Sequence, residues 1–400
     1  MSDSGPCDVL VVGSGGAGMC AALAASAGGA STRVATKSRL GASNTGRAQG
    51  GIQAAVGGDD SVEEHYADAF AAGHRAADPE LLRRLVEGGP EAIARLADLG
   101  VPFSREDGGY RLLRTGGAQR ARLLQAGERT GAEMVRALRH AVRAEAIALS
   151  EGSAVTDIAP TSWGFRVTLD GSTIDAGAVV LAAGGGMRGE AERHGLESTN
   201  HPDATPEILE MAAALGAEIV DGDSWQRHPT GSIWPQALAG YALPETTRSY
   251  GATLHDRDGE RFVEEMAPRD VVAAGIEDVV RRGRGVRAPN GREGVWLDTT
   301  AIDREHGAGF TAERLAYVHN RYFKAGVDIT RERVMVHPVL HYRNGGLRID
   351  RDAKTAVPGL IAAGEITGGI HGTNRLMGNS LLDTVVYGHI AGATAARETR

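Results

Sequence analysis

Apolar residues recur along the chain in short bursts that alternate with glycine-rich turns. The burst at 8–12 predicts a strand, a small-residue helix follows over 17–27, and a second strand is expected at 32–36. Apolar residues spaced three and four apart predict amphipathic helices over 91–99 and 132–149. Further strands are predicted at 164–169, 178–182 and 360–363, the last feeding a glycine-rich loop. Asn379 and Ser380 are placed to cap a helix starting at Leu381, whose positive end would face that loop. Strands alternating with helices in this way predict an α/β fold built on a Rossmann-like parallel sheet. The run 9–32 carries no charge, which raises the question of a membrane span. Glycines and turn signals divide it into strand, loop and helix, and no basic segment precedes it, so neither a span nor a signal peptide is expected.

Composition changes the picture at a few points. A chain of 400 residues with 42% hydrophobic content exceeds the size at which one core stops growing, about 250–300 residues, so two domains are expected. Glycine, at 56 residues, clusters in loops after apolar bursts, as in nucleotide-binding α/β proteins. A net charge of −8 points away from nucleic acid and anionic membranes, and an anionic substrate would need a local cationic pocket. Cys7 and Cys20 have no metal-binding spacing and fit a reducing cytoplasm.

Between the first strand and helix stands Gly13-Ser14-Gly15-Gly16-Ala17-Gly18, a Gly-x-Gly-x-x-Gly fingerprint in its proper strand–turn–helix context. Gly13 allows the tight turn, Gly15 lets backbone approach a pyrophosphate, and Gly18 lets helix and strand pack closely. The acidic residue that holds a ribose in simple NAD sites is replaced by Thr36-Lys37. Glu365, just past the strand at 360–363, offers a carboxylate to a ribose or ribityl hydroxyl, and His371, Asn374 and Arg375 add polar and cationic groups to the loop that follows.

From Thr36-Lys37 onward the sequence resembles the flavoprotein subunits of succinate dehydrogenase and fumarate reductase, together with the L-aspartate oxidases. The resemblance rests on Ser43-Asn44-Thr45, Ala48-Gln49-Gly50-Gly51-Ile52, Glu128-Arg129-Thr130-Gly131, the segment 179–185 with Gly184, and Thr205-Pro206-Glu207. It continues through Trp225-Gln226-Arg227-His228-Pro229-Thr230-Gly231, Leu243-Pro244-Glu245-Thr246-Thr247-Arg248, Ala267-Pro268-Arg269-Asp270, and the segment 336–342 with His341. The implied cofactor is FAD, held by the residues of the first glycine loop, by Thr36, Lys37, Ser43, Asn44, Thr45, Gln49, Gly50, Gly51, Gly184, Glu207 and Glu365, and by Ser380 and Leu381. Membrane-bound members link the flavin through a histidine where this chain has Asn44, so noncovalent FAD is implied. An FAD-binding domain over 1–220 and 336–400, with an inserted α+β capping domain over 221–335, is expected. The family's C-terminal helical domain is expected to be absent.

The resemblance further implies a carboxylic acid substrate clamped by His228, His341 and Arg375, with Arg269 as proton donor or acceptor and Glu245 and Arg248 as its relay. Arginine suits a carboxylate because its planar fork binds both oxygens. Thr115 stands where fumarate reductases and succinate dehydrogenases have an apolar Phe and L-aspartate oxidases a Glu. Pro244 stands where the family usually has a carboxylate-binding Thr. A substrate other than succinate or L-aspartate is therefore expected. L-aspartate oxidase proper is the alternative enzyme, and an FAD-binding electron-transfer subunit without substrate chemistry is the alternative of another class. The electron partner would be oxygen, a soluble flavin or nicotinamide, or a redox protein. No metal is expected.

Overall fold

The apolar strand Cys7–Val12 lies inside a seven-stranded sheet of a computed structural model that describes residues 5–400. Thr32–Thr36 runs parallel to it on one side and Ser172–Leu181 on the other. The long strand Ser172–Leu181 has two partners. Its first half pairs antiparallel with Phe165–Leu169, and its last residues pair parallel with Leu360–Ala362. The parallel strands therefore finish at one edge, where Gly13, Lys37, Ala182 and Gly364 carry the chain into loops. Ligands of open parallel sheets bind at that edge.

Two helices cover the sheet beside this edge, Gly16–Ala27 and Asn379–Glu398. They touch backbone to backbone. A Cβ on Gly392 would stand 2.0 Å from the Ala21 carbonyl oxygen, so only glycine permits the approach. The uncharged run 9–32 is thus strand, turn and helix, and among the described residues no helix is long and apolar enough to cross a membrane.

Three local expectations are corrected. The helix expected over 132–149 is Thr130–Ala144, and Ala148–Glu151 is a strand parallel to Thr32–Thr36. Ala146 takes a left-handed φ of 50° between them, and sheet pairing overrides the helical spacing of Ile147 and Leu149. The strand expected at 178–182 begins at Ser172. Asn379 and Ser380 do not cap the last helix. Gly378, at φ 89°, precedes its first turn, and Asn379 Oδ1 instead meets His65 Nε2 at 2.9 Å.

A second core lies apart from the first and draws on Leu254, Val272, Ile276, Val295, Leu297, Tyr322 and Val336. Its sheet is antiparallel. Trp225–Trp234 pairs with Val334–Arg343, which pairs with Glu293–Asp298, which pairs with Thr253–His255. Helix Arg269–Arg281 packs on it through Val272, Ile276 and Val279. Strand Val334–Arg343 starts in this core and then carries His341 and Tyr342 back toward the parallel sheet.

Candidate active site

Where the parallel-strand edge faces the second core, the chain encloses a cavity of about 890 Å³. It contains every site residue expected from the sequence except Gly18, Thr115 and Arg248. Gly18 packs behind the wall, where a Cβ would come within 1.9 Å of the Gly13 carbonyl oxygen. Thr115, expected as a substrate contact, stands outside the cavity lining. Its buried hydroxyl accepts a hydrogen bond from Gln53 Nε2 at 2.8 Å, and Pro244 and Glu245 form the cavity wall. Arg248 stands fully buried behind Glu245.

One end of the cavity is a loop cradle. Gly16 N–H donates to Thr45 Oγ1 at 3.0 Å, and Ser14 Oγ ties Thr36 Oγ1 (3.0 Å) to Gly41 N–H (3.1 Å). Helix Gly16–Ala27 has no acidic residue in its first turn, which leaves its positive end free for an anion. Lys37 bonds Thr205 Oγ1 and lies 3.8 Å from Glu207. Asn44 is held on three sides. Its amide donates to Asn200 Oδ1 (2.6 Å) and Glu365 Oε2 (3.4 Å), and its oxygen accepts from His201 N–H (2.7 Å). Burial pushes the Glu365 carboxyl up to about 7, against the opposing Arg343 N–H that donates to it at 3.1 Å. A glycine-walled trough, a bare helix N-terminus and a recessed carboxylate without a cationic ion-pair partner fit the pyrophosphate and polyol chain of FAD.

The other end concentrates cations. Arg269 Nε donates to Glu245 Oε2 at 2.8 Å, and Arg248 Nη2 approaches the same oxygen at 3.5 Å. Glu245 Oε1 accepts the Gly116 N–H at 2.9 Å. Burial alone would raise this carboxyl, but Arg269 and Arg248 hold it below the usual range. Arg269 Nη2 has no protein partner among the described residues and, unlike Arg248 Nη2, is not sealed from the cavity. Arg375 lies over the Tyr342 ring at 4.3 Å, and burial followed by Arg269 lowers it to about 10.

His228 and His341 sit with ring centres 5.2 Å apart. Burial and then the Arg269 charge hold both well below the usual histidine value. Both are therefore neutral near pH 7, and His341 Nδ1 is fixed by Thr199 Oγ1 at 2.7 Å. The arginines carry the positive charge of this end.

Sequence reasoning missed Gln226. Its Oε1 accepts from both Arg269 Nη1 (3.2 Å) and Arg375 Nη2 (2.8 Å), while its Nε2 donates to Asn374 Oδ1 and the Arg375 carbonyl, each at 2.8 Å. One amide thus fixes the two guanidinium groups relative to each other. A signal existed: strand alternation puts Gln226 and His228 on one face, and both are buried while Arg227 is exposed.

Comparison with known proteins agrees with this fold. The FAD binding domain family matches residues 8–381. The L-aspartate oxidase of Streptomyces coelicolor is 38% identical and covers 98% of this chain and 69% of its own length. A subunit of the fumarate reductase (CoM/CoB) of Methanothermobacter marburgensis is 34% identical over 98% of this chain and 72% of its own. A variant of the E. coli quinol fumarate reductase flavoprotein superposes with a TM-score of 0.90 at 29% identity, covering 98% of this chain and 70% of that one.

Proposed function

The chain is an FAD-dependent oxidoreductase of the fumarate reductase, succinate dehydrogenase and L-aspartate oxidase family, and on that premise we propose that it acts on a dicarboxylate-like acid with Arg269 as its proton donor or acceptor. When bound, FAD supplies or accepts the hydride in this chemistry. Arg375 and the neutral His228 and His341 hold the acid's carboxylates, and the paired oxygen acceptors of a carboxylate match the Arg375 fork. Gln226 keeps Arg269 and Arg375 in register, so the acid is gripped beside the proton donor.

The observation that carries the reading is the free Nη2 of Arg269, facing the cavity while Nε is anchored to buried Glu245. An arginine proton is hard to lose, since its ordinary pKa exceeds about 12. Glu245 and Arg248 lead inward from Arg269 and can return the proton. A scaffold or bare electron-transfer subunit has no use for this set.

We divide the chain into an FAD-binding part, 1–220 and 336–400, and a capping part, 221–335. The FAD is held noncovalently, because an asparagine amide at position 44 cannot form the histidyl link. Two unpaired, buried cysteines favour a reducing, cytoplasmic setting.

L-aspartate oxidase proper is the second reading, favoured by the relative that is 38% identical. Pro244 speaks against it. On the cavity wall it offers no charge to a substrate ammonium and no donor for a carboxylate. Losing one hydrogen bond to a charged group costs about 1.5–3 kcal/mol, roughly 10–150-fold in affinity. Anaerobic titration of the flavin with succinate, fumarate, L-aspartate and substituted analogues decides between these readings. A substituted acid should react best. If fumarate or L-aspartate turns over at kcat/KM of about 10⁴ M⁻¹s⁻¹ or more and no analogue exceeds it, the plain family activity is correct.

A further inference from the structure

Two cations on the cavity wall have a carboxylate partner, Lys37 beside Glu207 at 3.8 Å and Arg269 beside Glu245 at 2.8 Å, and Arg375 is held by Gln226. Arg47, Arg129 and Arg321 also line the cavity, and among the described residues no carboxylate lies within ion-pair distance of any of them. They come from separate places: Arg47 ends the short helix Asn44–Arg47, Arg129 precedes helix Thr130–Ala144, and Arg321 lies on helix Ala316–Lys324 beside the second core.

Aromatic rings organise them. Arg321 lies over the Tyr241 ring at 4.4 Å and donates from Nη1 to the Tyr317 hydroxyl at 3.1 Å. Arg129 lies over the Tyr317 ring at 5.4 Å. Arg321 Nε is enclosed without any hydrogen-bond partner. Burial, then the charges of Arg188 and Arg321, hold Arg47 below its ordinary value. Like charges gather here in a chain of net charge −8, and the neighbouring Glu128 carboxylate is engaged by the Tyr317 backbone N–H and not by an ion pair.

This is not the end of the cavity built for the FAD pyrophosphate. Thr45 faces that end through its bond from Gly16 N–H, whereas Arg129 and Arg321 gather on the Tyr317 ring at 5.4 and 5.6 Å. It is also distinct from the Arg269–Gln226–Arg375 cluster, since Arg47, Arg129 and Arg321 share no hydrogen bond with it.

We propose that Arg47, Arg129, Arg321 and the Tyr317 hydroxyl form a second anion subsite, on the capping side of the cavity, that takes a phosphate group. Guanidinium forks from Arg129 and Arg321, both on Tyr317, with Arg47 on the same cavity wall, suit the oxygens of a phosphate dianion. Because Arg47 and Arg129 come from one part of the chain and Arg321 from the other, the bound anion also bridges the two parts. Two sources share this chemistry: the phosphate of a small nucleotide redox carrier, and a phosphate carried by the acid substrate.

The test is calorimetric titration of the FAD-loaded protein with inorganic phosphate at constant ionic strength. One phosphate per chain should bind. Arg47→Gln, whose side chain has no partner to lose, and Arg321→Gln should each weaken it by about 10–150-fold. Arg375→Gln should leave it unchanged while weakening dicarboxylate binding, which separates this subsite from the acid clamp. No saturable phosphate binding, equal affinity in both variants, or loss only with Arg375→Gln overturns the proposal. Riboflavin and FMN differ only in a phosphate and distinguish the sources. Tighter binding of FMN assigns the subsite to a carrier. Equal binding, with inorganic phosphate still bound, assigns it to the acid.

Discussion

Glu365 joins the two ends of the cavity. Its carboxyl is pushed up to about 7 from 4.5, so between these values the folded apoprotein holds a proton that the unfolded chain has released. The sign follows directly: apoprotein stability from this group is full below about pH 4.5 and is lost as pH rises toward 7. A polyol hydroxyl donated by FAD would favour the carboxylate and lower its pKa. FAD binding at pH 6 should therefore release a proton, read from the buffer dependence of the binding enthalpy. Glu365→Gln should abolish the release, and proton uptake by wild type would contradict the assignment. At Asn44, acid precipitation should free all the flavin into the supernatant, and colour kept in the pellet would show a covalent link.

Much of the site was legible residue by residue, because motif positions survive folding. His228, Glu245, Arg269, His341 and Arg375 do converge on one cavity. Thr115 shows what a motif leaves out: a position in a sequence motif says nothing of where a side chain finds its hydrogen bond, and Gln53 supplies it. Gln226 was missed because an amide carries no chemistry of its own, and its role exists only once two distant arginines meet over it.

At the scale of elements, the first strand and helix followed from local pattern alone, since an apolar burst, a glycine turn and small residues all agree. The segment after Ala144 did not, because Ile147 and Leu149 satisfy either period and only pairing with Thr32–Thr36 selects the strand. The pair of helices Gly16–Ala27 and Asn379–Glu398 holds the cradle's floor, with Ser380, Leu381 and Thr384 in the cavity wall. Their contact is set by glycine. Gly392→Val should overpack it, with the new Cβ 2.0 Å from the Ala21 oxygen, and destabilise the protein by about 1–3 kcal/mol or more. Denaturant titration reads this directly. A variant as stable as wild type would mean that the helices do not approach so closely.

At the scale of the molecule, two cores enclose one cavity, and strand Val334–Arg343 is rooted in the second core while it delivers His341 to the site. Charge is distributed to match. A chain of net charge −8 lines its cavity with six Lys and Arg side chains, Lys37 at the cradle, Arg269 and Arg375 at the acid clamp, and Arg47, Arg129 and Arg321 elsewhere. Composition indicated two domains but not this concentration of charge, which arises from residues as far apart in sequence as Arg47 and Arg375.

The most direct test of the account is a single-turnover flavin reaction with the best acid from the panel, oxidation of reduced flavin by an unsaturated acid or reduction of oxidised flavin by a saturated one, comparing wild type with Arg269→Gln under anaerobic conditions. A general acid–base group contributes about 10²–10⁴-fold, and Arg269 also positions the acid. The rate should therefore fall by about 10⁴-fold or more, with the flavin still bound and its absorbance spectrum intact. A variant that reacts within about tenfold of wild type would show that the proton comes from elsewhere and that Arg269 is not the residue on which the chemistry turns.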